Sequence, residues 1–251
     1  MKTSNPAFSR DSFLSPSSQV GFERMTVLGA VNRCFVLVGL LLLSSLWSWN
    51  YIFSAPSVID YGPQIPVWFY PLLAGGFVLS LVIIFKPITA PYLAPVYALA
   101  EGFLLGTISA MMEIRYPGIA LQAMLVTVGT LFAMLTAYRA GLIQATAKFR
   151  SGVIAATGGI AVVYLLDFLL RLFGMSVPFI HESGTLGMLV SAVVVVVAAL
   201  NLVLDFDLIQ KGAAQGLPRH MEWYAAFGLL VTLVWLYLEV LRLLSKARSR
   251  N

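Results

Sequence analysis

The residues that could do chemistry in this chain are acids set among apolar side chains. Glu101 stands in Ala100-Glu101-Gly102-Phe103-Leu104-Leu105-Gly106, and Asp205 and Asp207 stand in Leu200-Asn201-Leu202-Val203-Leu204-Asp205-Phe206-Asp207-Leu208-Ile209. A charge at the centre of a bilayer costs at least about 2.5–3.5 kcal/mol on insertion scales, so acids so placed face a bundle interior or a water-filled path. Asn201 and Asp205 are four apart and share a helical face. Asp207 falls roughly 200° round from Asp205 on a continuing helix. Two acids this close could bind a hard cation such as Ca²⁺ through oxygen, with Asp205 as the metal-facing ligand, or share a proton. A solvated acidic helix end is the structural alternative. For Glu101 the alternative is a neutral carboxyl hydrogen-bonded across helices for packing, and Gly102 with Gly106 forms a small-residue pair that lets another backbone approach.

Other acids carry a counter-charge on their own helix. Asp167 and Arg171 are an i,i+4 pair, and Glu239 and Arg242 an i,i+3 pair, which reads as two salt bridges. Thr232 precedes Glu239 by seven residues, on nearly the same face and about 10 Å away. Catalytic readings find no footing. The chain has no G-x-S-x-G, no H-E-x-x-H and no phosphate-binding G-x-x-x-x-G-K-[ST]. Its single Cys34 and two distant histidines, His181 and His220, assemble no zinc or iron–sulfur site. The expectation is a protein that is not an enzyme and has no cofactor beyond a transported ion.

These acids need helices to position them. Of 251 residues 59% are hydrophobic and 11% charged, against about 45–50% and about 25% in soluble domains. Seven apolar stretches approach or exceed the roughly 20 residues that cross a bilayer: Val27–Trp49, Val67–Phe85, Tyr92–Met112, Ala120–Tyr138, Gly152–Phe173, Thr185–Asp205 and Trp223–Leu244. The valine run 193–197 does not alternate with polar residues, which argues against a barrel strand. Prolines and glycines mark the joints: Pro56, Pro63 and Pro66, Pro87 and Pro91, Pro117–Gly118, Pro178, and Gly216–Pro218. Trp47, Trp49, Tyr51, Trp68, Tyr70, Trp223 and Tyr224 collect at the ends of stretches, the depth of lipid headgroups. The fold class is therefore all-α, a polytopic seven-helix membrane bundle over residues 25–245.

Residues 1–24 are polar and Ser-rich, without the apolar core of a cleavable signal, and read as a disordered cytoplasmic arm. Residues 246–251 read as a short basic tail. The net charge of +5 suits basic helix ends against anionic lipid, not nucleic acid. Basic residues in short loops favour a cytoplasmic N-terminus only weakly, and the basic tail pulls the other way, leaving the side of the C-terminus open.

The ordered set resembles the Bax inhibitor-1 family, and its bacterial branch in particular. The residues that carry the likeness are Ala100-Glu101-Gly102 with Leu105-Gly106, Leu204-Asp205-x-x-x-Ile209, and Leu236-Tyr237-Leu238-Glu239-Val240-Leu241-Arg242-Leu243-Leu244. Asn5-Pro6-Ala7-Phe8 and Met221-Glu222-Trp223-Tyr224 add to it. The resemblance implies a seven-helix bundle with the last helix at its centre, in a bacterial inner membrane. It also implies a pH-sensitive calcium leak gated by an aspartate pair on the sixth and seventh helices. Asp205 matches the sixth-helix aspartate. Counting back from Arg242, the second falls at Thr232, which does not ionise, so Asp207, Glu101 or Glu239 would have to supply the other acid. Lys86 sits about where the family places a basic partner. Two functions follow as expectations: a cation leak (Ca²⁺ or H⁺) centred on Asp205, or a non-conducting regulator that binds a membrane partner such as a membrane AAA protease.

Overall fold

A computed structural model describes residues 23–54, 65–174 and 184–250. Its helices are α1 (Val27–Ser54), α2 (Phe69–Phe85), α3 (Ala90–Arg115), α4 (Ile119–Arg139), α5 (Ala147–Leu172), α6 (Thr185–Ala214) and α7 (His220–Arg248). A single 3₁₀ turn, Pro87–Thr89, joins α2 to α3. The expected all-α membrane bundle is present, with six helices among the described residues long and apolar enough to cross a bilayer. The exception is α2, whose 17 residues reach about 25 Å against a hydrocarbon core of about 30 Å. Phe35, Phe77, Phe132 and Phe168 are each more than half exposed on the outer faces, as residues facing lipid are.

The seam between α1 and α3 rests on small residues. A β-carbon on Gly102 would collide with Ser44 Oγ and the Leu41 carbonyl, and one on Gly106 with Ser48 Oγ and the Ser45 carbonyl. The serines that take up the space bond back to carbonyls of their own helix: Ser44 to Leu40 and Leu41, both at 3.0 Å, and Ser48 to Ser45 at 3.1 Å. Packing along this stripe is close because the glycines bring no side chain and the serines only a small one folded onto its own helix.

Helix α7 packs against α1, α3, α4, α6 and the 3₁₀ turn, while α5 leans mainly on α6. The last helix is thus central, sharing that place with α3, whose apolar stretch is largely buried. It is one unbroken helix of 29 residues. At its far end Arg248 donates to the Pro117 carbonyl at 2.6 Å and to Gln122 Oε1 at 3.0 Å. Pro117 lies in the α3–α4 connection and Gln122 in the first turn of α4, at the opposite end of the bundle from the α6–α7 connection. α7 therefore runs the full length of the bundle.

Several boundaries move. α6 does not stop at Asp205 but continues to Ala214, since Lys211 pairs with Asp207 across one further turn at 2.8 Å. Pro91 lies in the first turn of α3, where its missing N–H has no helical partner to lose. The basic tail is also shorter than expected. Lys246 is buried in α7, its ammonium on the Gly187 carbonyl at 3.1 Å and Ser191 Oγ at 2.8 Å. Most of the N-terminal arm lies outside the described residues. Its last two residues are tied down: Arg219 N–H donates to the Glu23 carbonyl at 2.8 Å, and Arg24 bridges Pro218.

Candidate functional site

Asp205 sits on α6 nine residues before the helix ends, about 14 Å along the axis, turned toward α7 and α1. Its Oδ2 is sealed from solvent and has no hydrogen-bond partner. Across the seam stands Thr232 of α7, the residue that the count back from Arg242 puts opposite it, its hydroxyl near enough to interact with the Asp205 carboxyl. That hydroxyl has one proton and two acceptors, because the Gly228 carbonyl lies 3.2 Å away on its own helix. A methyl on Gly228 would stand 3.9 Å from Asp205 Oδ1, so the helices meet here without a side chain between them. The thiol of Cys34 on α1 lies close enough to feel the aspartate's charge. An acid with one oxygen unsatisfied in such a place is a costly feature of a helix seam.

The other acids are engaged elsewhere, so none supplies the second carboxylate proposed for Asp205. Asp207 points away, as the helical angle requires, and its Oδ2 accepts from Arg150 of α5 and Lys211, both at 2.8 Å. Glu101 faces α2, where a methyl on Gly76 would lie 3.9 Å from its Oε2. It accepts from the Tyr97 hydroxyl one turn earlier, and the Tyr97 ring stands edge-on to Phe227 of α7 at 5.0 Å. Glu239 is buried, accepting from Tyr164 at 3.0 Å and from Arg242 at 3.0 and 3.2 Å. Arg242 also donates to the Tyr164 hydroxyl at 2.6 Å. The expected salt bridges of Asp167 with Arg171, at 3.0 Å, and of Glu239 with Arg242 are both present.

Asn201 does share a side of α6 with Asp205, yet its amide donates across to Thr157 Oγ1 of α5 at 2.8 Å and back to the Val197 carbonyl at 2.9 Å. Lys86 is exposed beside the 3₁₀ turn and is not among the groups around Asp205. Among the described residues no three His, Cys, Asp or Glu side chains gather into a metal-binding group. One carboxyl and one hydroxyl fall far short of the six to eight oxygens calcium takes. Asp205 and Asp207 thus face different helices, and the acid on the α7 side has a hydroxyl, not a second carboxylate, beside it.

Sequence reasoning missed Glu222 as a structural acid. It is 3% exposed and accepts from both the N–H and the hydroxyl of Thr26, each at 3.0 Å. Arg33 stands 3.9 Å away, its guanidinium over the Trp223 ring at 4.9 Å. The only signal was indirect: Thr26-Val27-Leu28-Gly29 has the threonine of a capping box but no acid three residues on.

The comparisons agree with this architecture. No curated protein and no solved structure matches the chain. The family model described as Bax inhibitor 1 like matches residues 5–249, nearly the whole chain and every helix described above. This multi-pass helical membrane protein belongs to the Bax inhibitor 1 like family.

Proposed function

We propose that the protein is a pH-sensitive cation leak of the bacterial inner membrane, with Asp205 as the group that attracts the cation and takes up the proton. The supporting observation is the unpartnered Oδ2 of Asp205, held between α6, α7 and α1 with Thr232 as its only described hydroxyl neighbour. Ionised, that oxygen offers a cation a single strong ligand. Protonated, it offers none, and the seam loses its charge. With so few oxygens, a calcium ion passing Asp205 keeps most of its water, and a proton is the simplest species the site can hold. No covalent reaction is catalysed in this reading.

The test is flux in proteoliposomes, comparing wild type with Asp205→Asn at about pH 6 and about pH 8. Cation entry rises with pH in the wild type, and the variant removes both the flux and its pH dependence. Equal fluxes in the two proteins overturn the reading.

A second reading, a regulator that binds a membrane partner such as a membrane AAA protease, is supported by one observation. An apolar groove of 1430 Å³ lies between α1 and α4, lined by Phe35, Leu42, Trp49, Met124 and Phe132. Affinity purification from native membranes, with and without residues 1–24, tests it. A specific partner lost with the arm supports this reading, and none at all removes it.

A further inference from the structure

Helix α1 begins at Val27, so Thr26 is its cap and Gly29 its third residue. The Thr26 hydroxyl accepts from the Gly29 N–H at 2.9 Å, which is half of a capping box. The other half would be a glutamate at the third position, reaching back to the cap's own N–H. Position 29 is glycine instead. A β-carbon there would fall on the carboxyl of Glu222, and it is this carboxyl, from the start of α7, that accepts the Thr26 N–H at 3.0 Å. The box is completed by another helix. By contrast α5 takes its cap locally, Thr146 Oγ1 accepting from Phe149 N–H at 3.2 Å.

This arrangement does more than finish a helix end. Glu222 lies six residues before Gly228 on α7, about 9 Å along the axis, and Thr26 lies eight before Cys34 on α1, about 12 Å. Gly228 faces Asp205 across the seam, and Cys34 lies near enough to feel its charge. The clamp therefore closes the α1–α7 seam between the N-terminal end of the bundle and the buried acid. Arg33 and Trp223 add a stacked pair beside it. Two backbone bonds reinforce the closure from outside, Met25 N–H to the Leu217 carbonyl at 2.7 Å and Arg219 N–H to the Glu23 carbonyl at 2.8 Å.

We propose that Glu222 is a positioning residue which, by completing the cap of α1 from α7, keeps water at the N-terminal end of the bundle from reaching Asp205. It rests on the Asp205 reading only for what lies behind the clamp. Cys34 is the one cysteine in the chain; it also lines the groove between α1 and α4, which faces lipid in nanodiscs and admits no charged reagent, so its labelling by a charged, water-borne thiol reagent reports whether the seam opens.

In wild type Cys34 labels slowly. Glu222→Gln keeps the size but loses the charge-assisted bonds and speeds labelling roughly tenfold or more. Thr26→Ala, which deletes the hydroxyl's bond, gives a smaller rise and serves should Glu222→Gln not fold. The deciding variant moves the acid, Gly29→Glu with Glu222→Gly. It restores a local box on α1 without the bridge, and it labels as fast as Glu222→Gln. Glu239→Gln, which loosens the opposite end, labels at the wild-type rate. An unchanged rate in both Glu222→Gln and Thr26→Ala overturns the proposal. So does a return to the wild-type rate in the relocated-acid variant, which would make Glu222 a helix cap alone, or an equal rise in Glu239→Gln. Cation flux is recorded on the same proteins: labelling changes with no flux from any of them leave the clamp standing and remove the leak.

Discussion

Replacing Asp205 with leucine strengthens the fold while removing the proposed cation leak. Leucine branches at the same carbon as aspartate, so the exchange fills the same space between α6, α7 and α1. It deletes the Oδ2 that is buried without a partner and leaves nothing newly stranded, because the Thr232 proton still has the Gly228 carbonyl at 3.2 Å. A buried unsatisfied polar atom costs about 1–3 kcal/mol, and exchange for an apolar group of like shape avoids that cost. Asp205→Leu therefore raises the unfolding free energy by about 1–3 kcal/mol. Titration of purified protein with SDS in mixed micelles, followed by helicity, measures it. Thr232→Val moves stability the other way by about 1 kcal/mol, since it takes the carboxyl's donor and gives nothing back. A loss of stability in Asp205→Leu of similar size would refute the reasoning, for it would mean that partners satisfy both oxygens of this acid. A residue that weakens its own fold is what a group kept for activity looks like.

Three further substitutions separate architecture from site. Gly102→Ala places a methyl against Ser44 Oγ and the Leu41 carbonyl, forcing α1 from α3 at a cost of about 1–3 kcal/mol, seen in the same SDS titration. Glu239→Gln breaks the buried pair with Arg242 and costs toward the low end of about 3–5 kcal/mol, as the Arg242 side chain is 37% exposed and rehydrates. Asp207→Asn costs no more than about 1 kcal/mol, less with added salt, because Arg150 and Lys211 are 46% and 53% exposed. It leaves cation flux unchanged.

Hydropathy located every helix among the described residues, because the need for unbroken apolar length in lipid is read directly from composition. Where boundaries moved, a tertiary partner overrode a local stop signal. Asp205, Asp207 and Lys211 look like the end of a span, yet α6 runs through them because Arg150 and Lys211 neutralise Asp207. Lys246 looks like the start of a tail, yet Gly187 and Ser191 satisfy it inside the bundle. Asp205 was legible from its apolar neighbours, and Thr232 opposite it from the count back to Arg242. What a single helical face left undecided was direction. Asn201 follows Asp205 at the correct spacing but bonds to α5, and the choice among Glu101, Asp207 and Glu239 as second acid depended on which helices lay beside each. Glu222 was the least legible, since its partners are almost 200 residues away, and a glycine at position 29 is the only local trace of them.

The central claim is that the buried carboxyl of Asp205 carries the conduction. Cation entry into proteoliposomes across the range from about pH 6 to about pH 8, measured for wild type, Asp205→Asn and Asp207→Asn side by side, tests it most directly. The account predicts flux that rises with pH in wild type and Asp207→Asn and is flat at the level of empty vesicles in Asp205→Asn. Flux of wild-type size and pH profile in Asp205→Asn contradicts it.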